Sequence, residues 1–273
     1  MKRYEKMFDR LAASKDKADE GAFVPFVTLG DPDPETSLKI VSGLVEAGAD
    51  ALELGIPFSD PVADGPTIQR ATRRALDAGT TPSVCFELLE ELRRQHPDVP
   101  IGLLVYANLV VQDSPQAFYR RAAKAGVDSV LVADIPAIES APFASAAREE
   151  GVCPVLIATP NAPRRTLEII ARESEGYTYL VTRAGVTGAE TAPDDDQYPL
   201  LATLRELEAA PSVVGFGISR PEQVRAVIEA GAAGAISGSA VVQRIEEHLG
   251  DEAAMLGALG EFVAAMKGGT LGE

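Results

Sequence analysis

With 273 residues, 46% of them hydrophobic, and a net charge of −16, the chain can bury the core of one large α/β domain. The acidity excludes a nucleic-acid or anionic-membrane surface, because phosphate backbones and lipid headgroups require a basic patch. No apolar run approaches the ~20 residues of a membrane span, and the charged N-terminus lacks an apolar signal segment. Cys85 and Cys153 have no metal-type spacing, so a reduced, cytoplasmic protein is expected. His96 and His248 fall near expected helix ends, which leaves a His-based triad or zinc site without support.

Taken in order, the chain alternates strand and helix. Residues 2–13 carry Tyr4, Phe8 and Leu11 at helical spacing, an amphipathic helix suited to covering one end of a fold. Strand 22–28 is followed by helix 34–47, then by a short apolar strand interrupted by Glu53. After a loop come helices 67–78 and 83–95, strand 100–106, helix 115–125 and strand 128–133. Helix 138–150, strand 153–158, helix 163–173 and strand 177–181 continue the rhythm, which a polar segment over 182–197 breaks. Helix 200–209, strand 212–216, helix 221–230, strand 234–237 and helices 240–248 and 252–266 complete the chain.

Four segments rhyme around Gly48, Gly126, Gly151 and Gly231, each a helix end with glycine at C′ turning into the next strand. Eight strands with helices between them predict a single-domain (β/α)8 TIM barrel over residues 1–273. Extra helices are expected at the N-terminus and after strands 2 and 8. A doubly wound sheet would want a dinucleotide glycine fingerprint after the first strand, and Thr28-Leu29-Gly30-Asp31-Pro32 lacks one.

In a barrel, chemistry belongs at the strand C-termini and the loops beyond them. Glu53 sits there, ahead of a loop over residues 55–65 rich in proline, glycine and carboxylates. A carboxylate aimed at an apolar mouth has its pKa raised and can deliver a proton near neutral pH. A structural ion pair is the competing account. Asp64 on the same loop can reach a bound ligand, whereas Asp60 serves equally well as a loop cap. Tyr179 can present its hydroxyl at the barrel top, although a lone strand aromatic is more often core. Gly217, Gly238 and Ser239, with Gly188 in the polar segment, would supply backbone amides and a hydroxyl for a phosphate; tight βα turns are the plainer account. Phe26, Leu104, Leu131 and Ile157 would point into the mouth and suit a flat aromatic ligand, or simply fill ordinary barrel layers.

The stretch Leu52-Glu53-Leu54-Gly55-Ile56-Pro57-Phe58-Ser59-Asp60-Pro61-Val62-Ala63-Asp64-Gly65-Pro66-Thr67-Ile68-Gln69 resembles the signature of the tryptophan synthase alpha subunits. Pro25-Phe26-Val27-Thr28-Leu29-Gly30-Asp31-Pro32, Tyr106-Ala107-Asn108 and Tyr177-Thr178-Tyr179 are similar too, as are Arg183-Ala184-Gly185-Val186-Thr187-Gly188, Gly217-Ile218-Ser219 and Ser237-Gly238-Ser239. The similarity runs from about Tyr4 to the last helices, leaving Asp194-Asp195-Asp196 and the C-terminal tail as departures.

The resemblance implies retro-aldol cleavage of indole-3-glycerol phosphate to indole and glyceraldehyde 3-phosphate. Glu53 would be the general acid, Asp64 the acceptor of the indole N–H, and Tyr179 an orienting group. Gly188, Gly217, Gly238 and Ser239 would hold the phosphate, and Phe26, Leu104, Leu131 and Ile157 the ring. Asp60, Arg183, Gly185 and Thr187 would close two loops over the ligand, Thr187 touching Asp64. The resemblance also implies no cofactor in this chain and a beta subunit carrying pyridoxal phosphate as partner, in an alpha2-beta2 heterotetramer. Another phosphate-binding barrel enzyme, a non-catalytic regulatory subunit and a free-standing lyase are the alternatives. Intact Glu53, Asp64 and Tyr179 weigh against the second.

Overall fold

The computed structural model describes residues 2–13, 20–181 and 199–271. Among these residues nine parallel strands form one sheet: β1 (Ala22–Thr28), β2 (Leu52–Gly55), β3 (Ile101–Val105), β4 (Ser129–Val132), β5 (Cys153–Val155), β6 (Ile157–Ala158), β7 (Thr178–Val181), β8 (Ser212–Gly215) and β9 (Gly234–Ser237). Their order is β5-β4-β3-β2-β1-β9-β8-β7-β6, so the ladder ends on β5 and β6. Only Leu156 separates these two, and its carbonyl accepts the Tyr179 N–H at 3.1 Å. The fifth expected strand is thus a single stave broken at Leu156, and the sheet closes into a TIM barrel.

Period-two alternation assigns each strand residue to one of two cores. Leu52, Leu54, Leu103, Val130, Leu180 and Val214 face outward into the layer under the helices. Phe26, Leu131, Val155, Tyr177, Tyr179, Val213 and Ile236 face the barrel interior. Glu53, flanked by two outward leucines, therefore points inward, paired in register with Phe26 on β1 and Gly102 on β3.

The outer layer comprises α2 (Pro34–Glu46), α3 (Pro66–Asp77), α4 (Pro82–Gln95), α5 (Ala107–Val111), α6 (Pro115–Lys124), α7 (Ala141–Glu149), α8 (Arg164–Glu173), α9 (Pro199–Glu206), α10 (Pro221–Glu229), α11 (Ser239–Glu247) and α12 (Glu252–Gly268). Extra helices follow β2 (α3 and α4) and β9 (α11 and α12), as expected. Proline at the first turn and side-chain caps from Asp33, Thr81 and Ser114 start α2, α4 and α6. The four rhyming glycines all adopt left-handed backbone, φ 108° at Gly48, 81° at Gly126, 76° at Gly151 and 94° at Gly231.

Two local departures have clear causes. The helix expected over 138–150 divides into a 3-10 turn (Ala137–Glu139) and α7, because Pro142 has no N–H to continue the ladder and Ser140 bonds back to Ala137. The short α5 was not anticipated, having no side-chain cap and less than two turns of periodicity. Cys85 and Cys153 are buried and unbridged. Among the described residues no helix is long and apolar enough to cross a membrane.

The N-terminal helix α1 (Arg3–Ala12) closes the strand N-terminal end of the barrel. It buries Tyr4, Met7 and Leu11 in the inner core, at about 1.5–3 kcal/mol for each large apolar side chain. Tyr4 reaches inside, its hydroxyl 2.9 Å from Ser129 Oγ. Gly102 makes room, since a Cβ there would lie 3.0 Å from the Tyr4 hydroxyl and 2.8 Å from Ser129 Oγ.

Candidate active site

At the opposite end, the strand C-termini surround a cavity of about 80 Å3. Its walls include Phe26, Glu53, Asp64, Leu104, Ile157, Tyr179, Gly217, Gly238 and Ser239, which the topology gathers from β1, β2, β3, β6, β7 and the segments that follow β2, β8 and β9. Two of the residues named from the sequence do not line it. Leu131 faces inward but is 1% exposed and lies one layer below the mouth, where Ala133 lines the cavity instead. Asp60 is exposed on the loop and accepts the hydroxyl of its neighbour Ser59, outside the cavity. Arg183, Gly185, Thr187 and Gly188 lie outside the described residues.

Glu53 is 2% exposed and forms no ion pair among the described residues; the Tyr177 hydroxyl donates to its Oε1 at 3.0 Å. Burial pushes its carboxyl up from 4.5 to about 7, and the Tyr177 bond opposes that rise only in part. A structural ion pair, the competing account of this residue, is thus not built by the described residues. Asp64 is raised to about 6 by the same desolvation, opposed by a hydrogen bond from Tyr106. The Tyr106 hydroxyl also accepts the Ala63 N–H at 3.1 Å, and its ring stacks on Phe58 with centroids 5.5 Å apart. Tyr106 therefore fixes the Asp64 loop. Burial raises the hydroxyls of Tyr177 and Tyr179 well above their ordinary range, so both are donors, not phenolates.

Sequence reasoning assigned no role to Tyr177, Tyr106 or Phe216. The first had a usable signal: it stands two residues before Tyr179, so both rings share the inward face of one stave. Phe216 meets Tyr179 edge-on at 6.3 Å and 85°.

Opposite the carboxylates, Gly217, Ile218, Ser219, Gly238 and Ser239 form a wall at the ends of β8 and β9, where α11 begins at Ser239. Among the described residues no Lys or Arg lines the cavity, so an anion held against this wall would meet backbone amides and hydroxyls. A larger groove of about 610 Å3 adjoins, sharing Ala63, Ala133, Ile157 and Phe216 with the cavity. Its carboxylate, Asp134, accepts the Ala107 N–H, whereas the two carboxyls raised by burial, Glu53 and Asp64, line the smaller space. Among the described residues no group of three or more His, Cys, Asp and Glu side chains could hold a metal ion.

Residues 11–270 match the family model for the tryptophan synthase alpha chain. The chain belongs to that family. Among its relatives, the tryptophan synthase alpha chain of Cronobacter sakazakii is 60% identical over 271 residues, covering 99% of each chain. That of Vibrio vulnificus strain YJ016 is 58% identical over 270 residues, again covering 99% of each. Among solved structures, tryptophan synthase subunit alpha from Legionella pneumophila superposes with a TM-score of 0.87 at 30% identity, covering 99% of this chain and 98% of that one. A chain of the Pyrococcus furiosus tryptophan synthase complex gives 0.81 at 35% identity, covering 92% and 99%.

Proposed function

We propose that this chain is a carbon–carbon lyase that cleaves indole-3-glycerol phosphate to indole and glyceraldehyde 3-phosphate. The observation that carries the proposal is Glu53: a carboxyl buried without a cation among the described residues, raised to about 7, at the end of a barrel strand and in one cavity with Asp64 and a glycine-rich wall. Indole leaves poorly as a carbanion, so its C3 is first protonated by Glu53. The positive charge that develops on the ring is stabilised by Asp64, which accepts the indole N–H. Removal of the proton from the adjacent glycerol hydroxyl turns that carbon into an aldehyde. The C–C bond breaks and its electron pair returns to the ring, restoring aromatic indole. Glu53, now ionised, is a base in the same cavity that can take that proton.

Tyr179 packs against the ring and orients it, with Phe26, Leu104 and Ile157 as apolar walls. Gly217, Gly238 and Ser239, with Gly188, take the phosphate. Asp60, Arg183, Gly185 and Thr187 remain proposed closure residues. The step needs neither metal nor cofactor.

A tryptophan synthase a2b2 complex is known from Pyrococcus furiosus. For this chain a beta subunit is the proposed partner, in an alpha2-beta2 heterotetramer within the cytoplasm, with pyridoxal phosphate confined to that subunit. Supporting this, Val62 (72% exposed), Val111 (45%) and Ile138 (69%) are large apolar side chains left exposed in the connections that follow β2, β3 and β4. Releasing indole into water would lose it, and a docked acceptor avoids that.

The test is indole release from indole-3-glycerol phosphate by wild type and Glu53→Gln, with and without a beta subunit. Loss of the acid lowers the rate at least ~10²-fold. Wild-type rates in Glu53→Gln would overturn the mechanism; fast release without any partner effect would keep the chemistry and discard the complex.

A further inference from the structure

The loop from β8 to α10 enters the cavity with an uncommon backbone. Phe216 and Gly217 are consecutive left-handed residues, φ 68° and 76°. Glycine adopts this region freely, whereas a bulky aromatic residue is strained there. Such strain persists only where neighbouring groups over-determine the conformation.

Two buried side chains do so. Ser237, fully buried at the end of β9, donates its hydroxyl to the Ile218 carbonyl at 2.7 Å. Gln223, in the first turn of α10 and 8% exposed, turns its Oε1 back toward the loop. There it accepts the Ser219 N–H at 2.9 Å, the Ser219 hydroxyl at 3.2 Å and the Arg220 N–H at 3.0 Å. Three successive residues after Gly217 are thereby pinned. The bond from Ser237 also occupies the Ile218 carbonyl, a group that would repel an anion. On the cavity side, the same turn sets the Phe216 ring against Tyr179 and places Gly217 in the cavity lining with Gly238 and Ser239.

We infer that Gln223, backed by Ser237, is a positioning residue that holds the 216–219 turn in the shape that receives the phosphate end of the substrate. The inference rests on the phosphate role proposed above for Gly217, Gly238 and Ser239. The rival role is a plain helix cap: glutamine at the third helical position commonly bonds the N-cap amide, for stability alone.

Binding of sn-glycerol 3-phosphate, a phosphate monoester without the indole, separates the two. It is measured by calorimetry on wild type, Gln223→Leu and Ser237→Ala, alongside melting temperatures and steady-state kinetics with indole-3-glycerol phosphate. Both variants should bind the monoester about 10-fold more weakly, the worth of one or two hydrogen bonds. KM should rise by the same factor while kcat stays within about threefold, the pattern of lost uniform binding. A Gln223→Leu chain that melts earlier yet keeps wild-type affinity and KM is merely uncapped, which overturns the inference. Should that variant not fold, Ser237→Ala decides by the same two readouts. Equal binding by wild type and variants overturns the inference alone; a wild type that binds no phosphate monoester overturns the phosphate role and the inference with it.

Discussion

The two ends of the barrel treat buried carboxylates in opposite ways. At the floor, Asp128 precedes β4 and receives Arg3 at 2.9 Å, Arg93 at 2.7 Å and the Ile101 N–H at 2.9 Å. Asp50, ahead of β2, likewise receives Arg10 at 2.7 Å, Lys267 at 2.8 Å and the Phe23 N–H at 2.9 Å. At the mouth, Glu53 and Asp64 receive tyrosine hydroxyls and no cation among the described residues. Burial is common to both ends; the partner is not. Cations tie the floor acids to α1, α4 and α12, whereas phenols leave the mouth acids raised to about 7 and about 6. A carboxylate made for stability and one made for proton transfer differ here by what faces them.

The contrast is broken most strongly at Glu53. Beyond the loss of at least ~10²-fold in indole release, Glu53→Gln should make the fold more stable at neutral pH. A carboxyl at about 7 in the fold, against its ordinary 4.5, keeps its proton in the native state while the unfolded chain has lost it. Wild-type stability therefore falls as pH rises from 4.5 to about 7 and is level beyond. Glutamine removes that slope, so the variant should gain about 3 kcal/mol above pH 7 and nothing below pH 4.5. Urea melts at pH 4.5 and pH 8 give the answer. A constant difference between variant and wild type would mean that the raised pKa is not a property of the fold.

The floor should show the reverse. Asp128→Ala strips the carboxylate from Arg93, whose side chain is only 13% exposed, and from Arg3. Removing one member of a buried pair costs about 3–5 kcal/mol. Indole release per folded molecule should stay near wild type, because Asp128 has no contact with the cavity. A variant with full stability and weakened catalysis would erase the distinction between the two ends.

Much of this was legible in the sequence, for physical reasons. The four glycine-ended helices and the apolar staves announce a barrel because each element is local, with a period and a stop signal of its own. Glu53 stood out because a charge in an apolar strand is costly without a purpose. Height and long-range pairing were not legible. Alternation gives the face of Leu131 but not its depth, so Ala133 and not Leu131 reaches the cavity. Tyr177 meets Glu53 across 124 residues, a contact no local pattern encodes. The break at Leu156 likewise depends on barrel closure, which only the assembled sheet expresses.

Gly215 gives a smaller effect. A Cβ at this β8 glycine would lie 2.2 Å from the Tyr179 hydroxyl oxygen and 2.5 Å from the ring carbon that bears it. Gly215→Ala must displace that ring, at about 1–3 kcal/mol of overpacking. Indole release should fall about 10-fold, because the displaced ring no longer orients the indole. In a double-mutant cycle, Tyr179→Leu should recover most of the stability but not the activity, separating the space the ring takes from the work it does. Additive effects would place the clash elsewhere.

The finest adjustment is at Tyr177. Activity needs Glu53 protonated and Asp64 ionised, so release should be lost as pH rises through about 7 and as it falls through about 6. The Tyr177 hydroxyl stabilises the ionised form of Glu53, and its removal must raise that carboxyl further. Tyr177→Phe should therefore move the alkaline limb upward by less than about one pH unit and leave the acid limb where it is. Tyr106→Phe should do the converse, raising the acid limb and narrowing the profile from below, because its hydroxyl lowers Asp64. If Tyr177→Phe lowered the alkaline limb or moved both limbs together, the two tyrosines would not be the separate partners that tune the mouth.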